Sequence, residues 1–216
     1  MRSDISNADI AEDAKKMKIL LIGASGTIGK RIYDAFAKKH DVVRASRAGA
    51  DVSVDITNAD SIEKMYLTVS GIDAVICVAG PAKFGPFDDM TEEDFYVGIR
   101  GKMMGQVNLV RLGQKYLNDN GSFTLTTGIL ADDPVFGSVG LSLVNGAVNS
   151  FALAAAQELP RGQRVNVVCP TVVEDSAEMY ADFFPGFDPA PMNRVVNGYI
   201  RCVETKINGR ILKIYG

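Results

Sequence analysis

Residues 18–31 read Lys-Ile-Leu-Leu-Ile-Gly-Ala-Ser-Gly-Thr-Ile-Gly-Lys-Arg. Four apolar residues in a row, Ile19 to Ile22, run directly into Gly23, Gly26 and Gly29. An apolar run, closely spaced glycines and an amphipathic segment predict a buried strand, a tight turn and a helix. In such a turn one glycine takes backbone angles that side chains resist. Another leaves bare backbone for a ligand phosphate, and a third lets helix and strand pack closely. The helix, opening at Thr27 and Ile28, offers unpaired N–H groups and the positive end of its dipole to an anion. The ligand implied is a dinucleotide diphosphate, with a nicotinamide cofactor the leading candidate. A purely structural turn satisfies the same spacing. A mononucleotide P-loop is a near miss, because Ala24 stands where its first glycine belongs and Arg31 where its Ser or Thr belongs.

A chain of 216 residues, 47% apolar and 23% charged, fits one soluble domain with a full core. Its net charge of −3 gives no electrostatic case for nucleic acid or an anionic membrane. No apolar run is long enough to span a bilayer, and the first residues lack the charged-then-apolar pattern of a secretion signal. Residues 1–16 are polar and read as a mobile tail, leaving 17–216 as a nucleotide-binding domain. Cys77, Cys169 and Cys202 are too few and too scattered for a disulfide framework or a metal site, so a reducing cytoplasm is expected. His40 falls between the first helix and the second strand and is expected at the surface.

Further β-branched apolar runs lie at 41–45, 52–54, 74–78, 123–127, 165–169 and 211–215, making seven strands with the first. Helical patterns fall at about 27–39, 59–69, 91–118, 139–159 and 191–204. Strand–helix alternation predicts an α/β fold, a doubly wound parallel sheet covered on both faces. Ligands in such sheets bind beyond the carboxyl ends of the strands, at the switch point. The link between the second and third strands is too short for a helical crossover. Either the helix is missing or the 52–54 segment is barely a strand.

The ordered motifs resemble the short-chain dehydrogenase/reductase family over about residues 17–216. Gly23 to Gly29 looks like the nucleotide turn. Asp55-Ile56 looks like the pair that meets adenine, and Cys77-Val78-Ala79-Gly80 stands where the family has Asn-Asn-Ala-Gly. Cys169-Pro170-Thr171-Val172 stands for the segment beside the nicotinamide. Asn208 to Leu212, with Ile214-Tyr215-Gly216, resembles the closing strand. The resemblance implies a Rossmann-type fold and places Gly23, Ser25, Gly26, Thr27, Ile28, Gly29, Ser46, Arg47, Asp55, Ile56, Ala79, Gly80, Pro170 and Val172 around the cofactor. After the second strand an acidic residue would favour NAD(H). Ser46-Arg47 suits a 2′-phosphate instead, so NADP(H) is expected over NAD(H), with Ser25 assisting. The alternative for Arg47 is a solvated loop charge.

In this family a Tyr gives a proton to the substrate carbonyl, and a Lys four residues on lowers its pKa and holds the ribose. Aligning the helix end at Gln157-Glu158-Leu159 puts Leu141 and Asn145 at those positions. Lys102-Met-Met-Gly105-Gln-Val-Asn108-Leu109 resembles polyketide-synthase ketoreductase domains, in which the Lys sits on the earlier helix and an Asn takes the later place. Lys102, Asn145 and Thr127 are therefore the expected catalytic residues, with Gly128 the alternative to Thr127 in its slot. Lys102 as a solvated helix residue and Asn145 as an ordinary helix polar group are the plain alternatives. Tyr180, Asp132 and Asp133 are weaker candidates for the missing acid. The aromatic segment 176–191 resembles the family's mobile substrate loop.

Three functions stay open. The first is an NADP(H)-dependent oxidoreductase reducing a carbonyl, or a similarly polarised group, of a small apolar substrate. The second is a catalytically silent dinucleotide-binding sensor or scaffold. The third is a redox-neutral enzyme that keeps the cofactor. Apolar residues beyond one core stripe on the helices near 104–112 and 148–156 predict a homodimer or homotetramer.

Overall fold

A computed structural model describes residues 16–216. The tail expected over 1–16 therefore lies, apart from Lys16, outside the described residues. The strands are β1 (Lys18–Ile22), β2 (Asp41–Ser46), β3 (Val52–Ser53), β4 (Ile72–Cys77), β5 (Leu117–Thr126), β6 (Arg164–Pro170) and β7 (Ile211–Ile214). They form one parallel sheet in the order β3-β2-β1-β4-β5-β6-β7. The helices are α1 (Thr27–Phe36), α2 (Ala59–Thr68), α3 (Glu92–Gly98), α4 (Met104–Gly113), α5 (Val139–Ala155), the short α6 (Ala177–Tyr180) and α7 (Met192–Glu204).

Strand alternation divides the core. In β1, Ile19 and Leu21 point into a layer with Ile32 and Phe36 of α1 and Val195 and Tyr199 of α7. Leu20 and Ile22 point into the opposite layer, with Met65, Leu109 and Val148 of α2, α4 and α5. Both faces of the strand are thus covered, which explains its unbroken apolar run. Successive strands are added outward from β1 on one side and from β4 on the other, and the crevice beyond the carboxyl ends of these two strands is where such sheets take ligands.

The continuous helix expected over 91–118 is broken twice. A turn of π-helix, Ile99–Met103, separates α3 from α4. The segment from Leu117 is strand, not helix. Arg161 Nη2 and Gln163 Nε2 donate to the carbonyls of Gln114 and Leu117 at 2.7–3.0 Å, meeting acceptors that a longer helix would have met itself. His40, expected at the surface, is 8% exposed. Its Nδ1 accepts from the Met17 amide at 3.3 Å and its Nε2 pairs with Glu204 Oε1 at 3.2 Å, so it fastens β1 to α7.

Both readings of the short link hold: it carries no helix, and β3 has only two residues. Arg44 replaces the helix. Its Nη2 and Nε donate to the Asp51 carboxylate at 2.7 and 3.1 Å, and its amide does so at 2.9 Å, pinning the loop that carries Arg47. These bonds hold the Asp51 carboxyl at about 2, below the ordinary 3.8. The ionised form is the bonded one, so this stabilisation is complete above about pH 4 and is lost as pH falls through about 2. Carbon-13 titration of Asp51 should give a midpoint near 2, and Arg44→Gln should return it toward the ordinary carboxylate range.

Candidate active site

A cleft of about 590 Å³ opens at the carboxyl ends of β1, β4, β5 and β6. Its first wall is the turn into α1, contributed by Gly26, Thr27, Ile28 and Gly29. Gly26 is the N-cap, and no side chain caps the first-turn amides. They are left to a ligand, at the positive end of the helix dipole. Gly29 makes this wall possible: a Cβ there would lie 2.0 Å from the Gly23 carbonyl oxygen and 2.9 Å from Ala24 Cα. Gly23 in turn packs on Ala79 just behind the cleft, where its own Cβ would lie 3.1 Å from that of Ala79.

The floor holds Gly80 and Lys102. Gly80 has φ +138°, and a Cβ on it would lie 2.8 Å from Lys102 Cα. Bare backbone after β4 therefore lets the π-helical turn settle against the sheet with Lys102 in the cleft. A π turn rotates the residues it contains relative to the helix before and after it. The Lys102 ammonium makes no hydrogen bond or ion pair with another described residue. Burial pushes its ammonium down to about 8, against a lesser opposing influence of the Cys77 and Cys169 thiols, and Cys77 is itself pushed up to about 11 by burial.

Thr127, Gly128, Leu141 and Asn145 line the wall between β5 and α5, and Pro170, Thr171 and Val172 the wall at β6. Asn145 is 2% exposed and its Oδ1 has no hydrogen-bond partner; Thr171 is 5% exposed and its Oγ1 has none. Thr127 Oγ1 lies 2.9 Å from Asn149 Oδ1, to which it donates. Its lone pairs stay available, and exchanging the Asn149 amide atoms would free its proton for a ligand. Thr126, beside it, is fully engaged: its hydroxyl donates to the Cys77 carbonyl at 2.6 Å, and Gln106 brackets its backbone at 2.8 and 3.0 Å.

The rim is aromatic. Phe84, from the loop after β4, meets Phe183 edge to face at 5.0 Å, and Tyr180 and Phe184 line the same cleft. The Gly85 amide donates to the Gly137 carbonyl at 2.9 Å, stitching that loop to the segment before α5.

Other expected residues lie outside the cleft: Gly23, Ser25, Ser46, Arg47, Asp55, Ile56 and Ala79. Ser46 donates its hydroxyl to the Ala48 carbonyl at 2.6 Å. Arg47 is exposed at the end of β2, without a hydrogen bond or ion pair to a described residue. Asp55 accepts from the Thr57 hydroxyl and amide at 2.8 and 3.0 Å, which holds its carboxyl below the usual range, with Arg47 a lesser influence. Ile56 packs on Gly105 of α4. Asp132 is held by Lys213 and by the Tyr215 hydroxyl, away from the cleft. Sequence reasoning missed Asn149, Gln106 and Phe84, and it placed Thr171 beside the nicotinamide without its unmatched hydroxyl. Asn149 follows Asn145 by one helical turn, a spacing that could have found it.

Among the described residues no helix is long and apolar enough to cross a membrane, and no group of three or more His, Cys, Asp or Glu is placed to hold a metal ion.

A family model described as enoyl-(acyl carrier protein) reductase matches residues 13–198. Among solved structures, the protein lin1944 from Listeria innocua is 46% identical with a TM-score of 0.91, covering 92% of this chain and 100% of that one. A small-chain dehydrogenase in complex with NADPH is 20% identical with a TM-score of 0.80, covering 93% of this chain and 97% of that one. Oxidoreductase UcpA of Escherichia coli is 26% identical over 161 residues, 72% of this chain and 59% of that protein. An oxidoreductase of Schizosaccharomyces pombe is 27% identical over 173 residues, 72% of this chain and 66% of that protein. The chain thus spans less than two thirds of the length of these curated relatives.

The floor geometry is testable. Gly80→Ala should cost about 1–3 kcal/mol of stability in urea denaturation, because the methyl meets Lys102 backbone. Competitive amine acylation followed by peptide mass spectrometry should place the Lys102 titration at about 8.

Proposed function

The chain belongs to the short-chain dehydrogenase/reductase family, and from that premise we propose that it is an oxidoreductase that uses NADP(H) to reduce a carbonyl, or a similarly polarised carbon, of a small apolar substrate. The observation that carries the reading is the pair of buried orphans, Asn145 Oδ1 and Thr171 Oγ1, in one cleft with Lys102. Each unmet buried polar atom costs about 1–3 kcal/mol. A ligand with hydroxyls and an amide removes that cost, and a nicotinamide riboside has both. The uncapped amides of α1 suit its diphosphate, and the bare Gly29 leaves room for close approach. The residues present therefore fit the group: Gly26 to Gly29 for the diphosphate, Lys102 and Asn145 for the ribose, and Pro170 to Val172 for the ring.

When bound, the nicotinamide supplies a hydride. Lys102 holds a positive charge at the floor, where it donates to a hydroxyl of the ribose and favours negative charge developing nearby. Thr127 orients the polarised group. Phe84 and Phe183 close the mouth and exclude water. Arg47, unpaired at the end of β2, supports NADP(H) over NAD(H) through charge-assisted bonds to a 2′-phosphate; the NADPH complex of the small-chain dehydrogenase is in keeping with this.

Leu141 favours a second reading, a dinucleotide-binding protein without net redox turnover, because a leucine in the cleft has no proton to give. Exposed Met104, Leu143 and Leu153 on α4 and α5 support a homodimer or homotetramer, and the expected setting is the cytoplasm.

Calorimetric titration should show NADPH binding at least about tenfold tighter than NADH, an advantage removed in Arg47→Glu. Tighter NADH binding would contradict the cofactor assignment. Lys102→Ala should lower turnover by about 10² or more. NADPH binding without oxidation across a panel of polarised substrates would favour the second reading. Sedimentation at micromolar concentration should show a dimer or tetramer; a monomer would contradict that assignment.

A further inference from the structure

We propose that the polarised group reduced in this cleft is an iminium carbon, C=N⁺, so that the substrate brings its own positive charge into the site. The inference rests on the oxidoreductase reading and names its substrate class.

The first support is the set of groups that line the cleft. Among the described residues no Asp, Glu or His lines the cleft, and the ionisable groups that do are Lys102 and Tyr180. A neutral ketone gains negative charge on oxygen as hydride reaches its carbon, and a proton must meet it. Leu141 stands in the wall between Gly128 and Asn145 in chain order and meets no such need. An iminium ion has none. The hydride forms the new C–H bond, the C=N π pair becomes the nitrogen lone pair, and the product is a neutral amine. The reduced nicotinamide supplies both electrons and is oxidised to its cationic ring, so charge and atoms balance without a proton from the protein.

The second support is the distribution of charge. Asp88, Asp89, Glu178 and Asp182 lie on the segments that carry the rim aromatics, and Asp133 on the segment stitched to them; all are exposed, and their side chains make no hydrogen bond or ion pair with a described residue. Lys83, beside Phe84 in the chain, pairs with Asp94 at 3.3 Å, and Lys213 pairs with Asp132, next to Asp133, at 2.8 Å. In the first turn of α1 and just after β2, the side chains of Lys30 and Arg47 have no hydrogen bond or ion pair with a described residue, suiting an anionic cofactor. Exposed acids on the segments that carry the rim aromatics draw a cation toward that side, and exposed bases near the turn into α1 and after β2 draw a phosphate toward the other.

The third support is the rim itself. Phe84, Tyr180, Phe183 and Phe184 line the cleft, and ring faces attract organic cations. Lys102 is on the floor, against Gly80, and not among these rings.

The test uses the full chain with NADPH bound, confirmed by calorimetry in the same preparation. N-methyldihydroisoquinolinium is a fixed cation that needs no proton, and tetralone is a neutral counterpart of similar shape. The expected kcat/KM is at least about tenfold higher for the cation, and this preference shrinks as salt rises. Independently of turnover, the saturated cation N,N-dimethyltetrahydroisoquinolinium should bind the NADPH complex more tightly than neutral tetralol. The double variant Glu178→Gln, Asp182→Asn should lower kcat/KM for the cation about threefold or more and leave tetralone unchanged. Equal or faster reduction of tetralone, reduction of neither, or tetralol binding as tightly as the cation overturns the proposal while leaving cofactor binding standing. Failure to bind NADPH brings down the oxidoreductase reading as well.

Discussion

The arrangement depends on the distance between α1 and the end of β1. Gly29 lies so close to the turn that a Cβ would fall 2.0 Å from the Gly23 carbonyl oxygen. That approach brings the uncapped first turn of α1 to the edge of the sheet, where the strand order diverges between β1 and β4. The crevice this divergence leaves is the cleft, and it is lined by Lys102, Thr127, Asn145 and Thr171 together with the first turn of α1. A wider spacing would leave the amides facing solvent and the crevice without an anion site.

The same economy of backbone recurs on the floor. Gly80 admits the π turn, and the π turn delivers Lys102. Charge that the related catalytic pattern places on α5 comes here from the opposite side of the cleft, and α5 contributes Asn145 with an unmatched carbonyl oxygen. Lys102 is placed where burial weakens its hold on a proton, and its ammonium has no acceptor among the described residues. Such a group is held in readiness for a ligand, because an ion buried for structural reasons is normally paired. Leu141 fits the proposed reading: a cleft with a buried ammonium and a leucine at this point of α5 suits substrates already activated.

The legible part of the sequence was its apolar periodicity and its glycines. Residues 19–22 are apolar because both faces of β1 are covered, and that signal is local. The order of strands and helices follows, as does the missing crossover helix between β2 and β3. Less legible were features set by contacts distant in sequence. The end of α4 is decided by Arg161 and Gln163, nearly fifty residues on, so 114–118 looked helical. The π turn has no local signature, since its cause is the space that Gly80 leaves. His40 looked like a loop residue because its partners, Met17 and Glu204, lie at opposite ends of the chain. Ser46 had the right chemistry for a phosphate, but its hydroxyl is spent on the Ala48 carbonyl. Thr171 is a strong β-former after a proline, and nothing in its position revealed that its hydroxyl would be left unmatched.

In backbone amide NMR during NADPH titration, the amides of Thr27, Ile28 and Gly29 should show the largest shifts, saturating together with resonances of Gly80 and the Asn145 side chain. NADPH binding that leaves the first turn of α1 unperturbed, or the absence of any binding to folded protein, would contradict this cofactor site.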